Sequence, residues 1–183
     1  MRENYEGNVF SPMGCRSFLT DWIDPTTGEY KYEGRFNKGV VSINLPQVGL
    51  VCGGDIDLFW ETLDQRLELC HQALLCKNEL LKDATAAVSP IHWQHGAIAR
   101  LPKHAPIVNL LQDGYATITL GYIGVYECVK SLIGVSHTTP EGEALALEIV
   151  KYMKKKVVDW KKRTGLGFAL YGTPSEKKKK KFA

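Results

Sequence analysis

The sequence predicts an α/β fold, on three observations. Three stretches read as strands: GVVSINLP at 39–46, GYATITLGYIG at 114–124 and FALY at 168–171, which Gly172 turns. The stretches 55–81 and 139–164 carry apolar residues at intervals of three and four, the spacing of a helix with one buried face. Gly, Pro or a capping residue stands at nearly every junction between them.

In chain order, residues 1–10 begin polar, with the turn signal Gly7-Asn8 leading into Val9 and Phe10. SPMGCRSFL at 11–19 follows and reads as a tight, ordered loop with Cys15 at its tip. Pro12 fixes its own φ and biases Ser11 towards extended backbone, while Gly14 permits a geometry that a side chain there would resist. Such a loop holds a sulfur in place, and Arg16 beside it would favour thiolate in polar chemistry. The alternative for a lone cysteine is inert packing as a small hydrophobe.

Asp24-Pro25, Gly28 and Gly34 mark a loose hairpin with Tyr30 and Tyr32 alternating across it. The turn GRFNK at 34–38 feeds the β-branched run, which Pro46 is expected to close as a strand. Asn37 stands at the strand's mouth, where an Asn ordinarily satisfies local backbone groups. From Asp55 as N-cap, Ile56, Phe59, Leu63, Leu67, Cys70 and Leu74 form a helical stripe to about Leu81. Core packing is the reading for Cys70, and Cys52 and Cys76 carry nothing that lifts them above it.

His92 and His95 flank Trp93 in the proline-bounded stretch 89–102. The spacing would suit a metal, but no acidic or sulfur ligand stands nearby. A turn packed by Trp93, with the histidines bonded to backbone, is expected instead. The strand at 114–124 delivers into glycines 121 and 124, and VYECVKSLIG forms a short helix ending at Gly134 with Cys128 buried on it. Thr139-Pro140-Glu141 opens the clearest helix, with Leu145, Ile149, Met153 or Tyr152, Val157 and Trp160 inward. Lys161, Lys162 and Arg163 suit its negative end, and Gly165 stops it. After the last strand, Thr173 reads as an N-cap, Pro174 as N1 and Glu176 as N3. That helix start can bind an anion through free N–H groups, or satisfy the same donors itself as a capping box.

Five ordered blocks carry a family resemblance: SPMGCRSFL with GRFNKGVVSINLPQ, FWETLDQRLELCHQAL at 59–74, PIHWQHGAIARL at 90–101, GYATITLGYIGVYE at 114–127 and GFALYGTPSE at 167–176. Together they resemble the anaerobic, class III ribonucleoside-triphosphate reductases, members of the glycyl radical enzymes. The resemblance implies a partial ten-stranded α/β barrel with a cysteine-bearing finger loop over residues 1–176; the Lys-rich tail at 177–183 departs from the family's pattern. It implies a ribonucleoside triphosphate as substrate, reduced to the deoxyribonucleotide for DNA synthesis by thiyl radical chemistry. Cys15 matches the thiyl cysteine, Asn37 is the candidate to orient the ribose hydroxyls, and Thr173, Pro174 and Ser175 match the loop that holds the substrate's phosphate. Glu176 would repel a triphosphate unless it faces away.

The resemblance also implies formate or a redoxin as reductant, a radical-SAM activating enzyme, a homodimer and a cytoplasmic setting. The sequence has no RVxGY-like glycyl radical segment, no C-terminal cysteine set for structural zinc and no amino-terminal cone for ATP or dATP. The expectation is therefore an internal fragment, about a quarter of such an enzyme, inactive alone and binding no metal or cofactor itself.

Charge and cysteine content narrow the other classes. The net charge is +3, but residues 177–181 are five lysines, and removing those five charges from +3 leaves −2. A basic excess confined to one terminal run does not make a nucleic-acid surface. Five cysteines, an odd number without a CxxC pair, suit a reducing compartment and not a zinc site, and no long apolar span predicts a membrane segment. Two rival functions are a non-radical thiol enzyme pairing Cys15 with His92 or His95, and a polyanion-binding module acting through the lysine tail.

Overall fold

A computed structural model describes residues 3–4, 8–9, 19–31 and 34–172. Cys15, Thr173, Pro174, Ser175, Glu176 and the lysine tail lie outside the described residues. Near the start, β1 (Glu3–Asn4) pairs antiparallel with β2 (Asn8–Val9).

The α/β class holds in a three-stranded parallel sheet of order β3-β4-β5, formed by Asn37–Asn44, Thr117–Ile123 and Gly167–Gly172. Parallel neighbours need long crossovers. The first runs through α1 (Leu45–Cys52), α2 (Ile56–Glu79) and the short α3 (Pro90–Trp93). The second runs through α4 (Val125–Ile133) and α5 (Pro140–Thr164). All four long helices lie on one side of the sheet. There Val41, Ile43, Ile118, Leu120, Phe168 and Leu170 meet the α2 stripe of Phe59, Leu63, Leu67, Cys70 and Leu74 and the α5 stripe of Ile149, Met153, Val157 and Trp160. Burying each large side chain fully is worth about 1.5–3 kcal/mol against leaving it in water, so this layer is the main stabilising feature.

Caps set most helix ends where the sequence puts them. Asp55 accepts the Leu58 N–H at 3.0 Å and Thr139 accepts the Gly142 N–H at 3.2 Å. Gly134 and Gly165 close α4 and α5 in the left-handed conformation.

The expectation for Pro46 is corrected. It does not close the strand; it occupies the first turn of α1, behind Asn44, whose side chain accepts the Gln47 N–H at 3.3 Å. The first helical turn has N–H groups without intrahelical partners, so proline's missing donor costs nothing there. Pro46 also packs against the turn from β4 into α4. A Cβ on Gly124, which sits at φ +73°, would lie 2.1 Å from Pro46 Cγ.

Two smaller corrections concern side chains. Cys76 is exposed on the outer face of α2, whereas Cys52, Cys70 and Cys128 are buried. Burial pushes the Cys128 thiol up to about 12, with the nearby Cys52 adding to the shift. The 89–102 segment is indeed packed by Trp93, edge-on to Phe36 at 4.9 Å. Its His92 ring, however, bonds the Ser89 hydroxyl through Nδ1 at 2.6 Å and not the backbone.

Candidate functional site

The sheet's second face carries none of the four long helices and differs in chemistry. Strand side chains alternate between faces, so with Ile118 and Leu120 against the helices, Thr117, Thr119, Gly121 and Ile123 point the other way. The parallel register places Val40 and Ala169 beside Thr119, and Ser42 and Tyr171 beside Gly121. The result is a lane of small and polar side chains. Thr117 and Thr119 are nevertheless fully buried.

Asn37 stands at the start of β3, at the strand's mouth as the sequence suggests. Its amide Nδ2 donates to Thr119 Oγ1 at 2.5 Å, and its Oδ1 accepts the Gly39 N–H at 2.9 Å. The second bond is the local backbone role expected of a turn Asn. The first carries the amide onto the helix-free lane, and no sequence signal could have found it because the partners are 82 residues apart. The sheet register shifts between Asn37 and Val40. Across that irregularity Lys38 turns to the helix side, where its Nζ donates to Asn78 Oδ1 and to the Leu111 carbonyl, each at 2.6 Å. Burial lowers the Lys38 ammonium to about 8.

Thr20, five residues after Cys15 in sequence, bonds on this same face. The Thr20 N–H donates to Thr117 Oγ1 at 3.0 Å, and the two hydroxyls are 3.3 Å apart. At the opposite end of the sheet, β5 is described as far as Gly172, the residue before Thr173 in sequence. Register and rise separate these ends: Thr117 pairs with Gly167, and the five steps from Gly167 to Gly172 span about 17 Å. The Asn37 amide bonds at the level of Thr119 and Ala169, about 10 Å short of that end. The lane thus lines up hydroxyl and amide groups along one face of the sheet, and at Thr117, Thr119 and Ala169 it is covered and not open to solvent. Among the described residues no group of three or more His, Cys, Asp or Glu side chains could hold a metal ion, and no helix is long and apolar enough to cross a membrane.

Comparison with known proteins gives this lane a family. The family model for anaerobic ribonucleoside-triphosphate reductase matches residues 1–183. Relatives carrying that name in Salmonella typhimurium and Escherichia coli are each 40% identical over 173 residues, which is 93% of this chain and 24% of theirs. The relative in Enterobacteria phage T4 is 39% identical over 171 residues, covering 91% of this chain and 27% of its own. The chain thus spans about a quarter of the length of the curated relatives it matches. Among solved structures, the anaerobic ribonucleotide reductase from Thermotoga maritima with citrate in the active site aligns over 80% of this chain and 28% of that one, with a TM-score of 0.57 at 22% identity. The same enzyme in complex with dATP and CTP aligns over 76% of this chain and 24% of that one, with a TM-score of 0.54 at 21% identity. Those likenesses speak for the fold, and the family model and the sequence relatives for the lineage: this chain belongs to the anaerobic ribonucleoside-triphosphate reductase family.

Proposed function

We propose that this chain carries the working thiol and part of the substrate site of an enzyme that reduces ribonucleoside triphosphates to deoxyribonucleoside triphosphates for DNA synthesis. The observation that carries the reading is the helix-free lane. The arm leaving the Cys15 loop is fastened at one end of it, the Asn37 amide reaches its middle, and Gly172 delivers the chain to Thr173 at the far end. From Thr20, five residues of fully extended chain reach at most about 17 Å, so Cys15 is confined to a range that overlaps the lane. A nucleotide laid along it has its phosphates beside Thr173, Pro174 and Ser175 and its ribose near Asn37.

In this reading the Cys15 sulfur, as a thiyl, takes the hydrogen atom from ribose C3′, forming S–H and leaving the sugar radical. The 2′-hydroxyl takes up a proton and departs as water; formate, oxidised to carbon dioxide, or a redoxin dithiol, oxidised to the disulfide, supplies the two electrons and a proton, and the S–H hydrogen returns to C3′, restoring the thiyl. Fixed placement and excluded solvent suit this step, because a thiyl must meet one C–H bond and nothing else. Asn37 holds the hydroxyls through an amide that already has a defined orientation. The glycyl radical that generates the thiyl, structural zinc and the ATP or dATP effectors belong to other parts of the enzyme, whose motifs this chain does not contain. The sheet is one sector of a ten-stranded barrel enclosing the finger loop, in a cytoplasmic homodimer served by a radical-SAM activating enzyme.

The test is a chimera in which this chain replaces the matching stretch of the Escherichia coli relative, assayed for anaerobic CTP reduction after activation. Activity is expected with the native sequence and none with Cys15→Ala. Turnover that survives Cys15→Ala would overturn the reading.

A further inference from the structure

Arg35 is 4% exposed, and burial lowers its pKa. Its guanidinium donates to four main-chain carbonyls: Tyr115 at 2.8 Å, Thr20 at 2.7 Å, Gly114 at 3.0 Å and Lys31 at 3.2 Å. These carbonyls come from three chain segments, namely the arm leaving the cysteine loop, the hairpin after it and the lead into β4. The three N–H donors of an ammonium diverge from one nitrogen and cannot reach separated carbonyls in one plane; the rigid fork of arginine can.

The fork completes a junction around Thr20. Both main-chain polar groups of that residue are held, the N–H by Thr117 Oγ1 and the carbonyl by Arg35. Gly167, the first residue of β5, comes so close that a Cβ there would lie 3.0 Å from Thr20 Oγ1 and 2.9 Å from the Ala116 carbonyl oxygen. Trp22 covers the guanidinium at 5.9 Å, meets Tyr115 edge-on at 5.0 Å and donates its Nε1–H to the Asp113 carbonyl at 2.8 Å. The Tyr115 hydroxyl closes the ring of contacts on the Gly34 carbonyl at 2.6 Å.

We propose that Arg35 is a positioning residue, whose fork locks Thr20 onto the start of β4 and so sets where the chain bearing Cys15 leaves the sheet. The proposal rests on the reading of Cys15 as the working thiol. Hydrogen bonds to a charged group are stronger than those between neutral groups, so losing the fork frees residue 20 even where the fold survives.

The test compares alkylation rates of Cys15 and of exposed Cys76 in the full chain, alongside amide exchange at Thr20 and the melting temperature. In Arg35→Lys the ratio of Cys15 to Cys76 rates is expected to rise on the order of tenfold, the effect of losing one such bond. Thr20 exchange speeds up with it, and millimolar guanidinium reverses both changes in Arg35→Ala. An unchanged ratio with a lowered melting temperature would show Arg35 to be structural only. Should the Arg35 variants fail to fold, Thr117→Val removes the other tether of Thr20 and must raise the same ratio, or the proposal fails. Labelling needs no turnover. An inactive chimera with the ratio effect intact therefore sinks the functional reading alone, and an active chimera with a flat ratio sinks only the role of Arg35.

Discussion

The two faces of the sheet are made from the same three strands, yet they do opposite things. The helix-covered face is apolar and closed by α1, α2, α4 and α5; the other sets threonine, glycine, serine and asparagine among Val40, Ala169, Tyr171 and Ile123, with its buried hydroxyls tied by specific hydrogen bonds. A parallel sheet is normally sealed on both sides, and its strands then read as continuous apolar runs. β4 alternates Thr and Ile or Leu although it is buried almost throughout. The apolar core is concentrated on one face, and the other buries polar groups that specific hydrogen bonds satisfy.

The largest expected effect breaks the covered face. Phe59→Ala removes a fully buried ring from α2 and is expected to cost about 3–5 kcal/mol in urea unfolding. A loss under 1 kcal/mol would mean that this layer is not the core. Next comes the seam where α1 meets the β4–α4 turn. Gly124→Ala places a side chain at positive φ against Pro46 and is expected to cost about 1–3 kcal/mol, read in the same experiment. On the helix-free face, Thr119→Val keeps the shape and removes the Asn37 partner. It should cost only about 1 kcal/mol of stability, yet it should lower CTP reduction by the chimera severalfold, a split between stability and activity that the covered face should not show.

Lys38 gives a pH signature. Its folded pKa, about 8, lies below the ordinary 10.5, so between those values the unfolded chain binds more protons and stability rises with pH. The gain is fully present above about 10.5 and lost as pH falls through about 8, and Lys38→Met should remove this slope from a pH series of urea melts. The smallest effect belongs to the α2–α5 surface, where Lys156 and the Tyr152 hydroxyl bond Asp64 and hold its carboxyl below the usual range. Both charges of the ion pair are partly exposed, so Lys156→Ala should change stability by about 0–1 kcal/mol, and less in high salt.

Much of the covered face is legible in the sequence, because caps and stripes are local signals. Asp55, Thr139, Gly134 and Gly165 act where their chemistry puts them, and Phe59, Leu63, Leu67 and Leu74 line the core as their spacing requires. Pro46 misleads because a proline after a β-branched run suits a strand end and a helix start equally, and only the Asn44 cap decides. Cys76 misleads because free cysteine packs well, while the α2 stripe turns it outward.

The helix-free face is the less legible of the two. Thr117 and Thr119 look like ordinary strand residues until Thr20 and Asn37, distant in sequence, are bonded to them. Arg35, within the quoted GRFNK turn, gave no hint of its four carbonyl partners. Loop chemistry and resemblance single out Cys15, signals that specify a thiol but not a surface for it to face.

That surface can be measured directly. In a chain with Cys52, Cys70, Cys76 and Cys128 replaced by serine or alanine, a second thiol is introduced by Thr119→Cys on the helix-free face or by Tyr122→Cys on the covered face. Each variant is then treated with a short bis-maleimide. Cross-linking of Cys15 to position 119 and not to position 122 is the predicted result; cross-linking to 122 alone would put the thiol on the wrong side of the sheet and contradict the account.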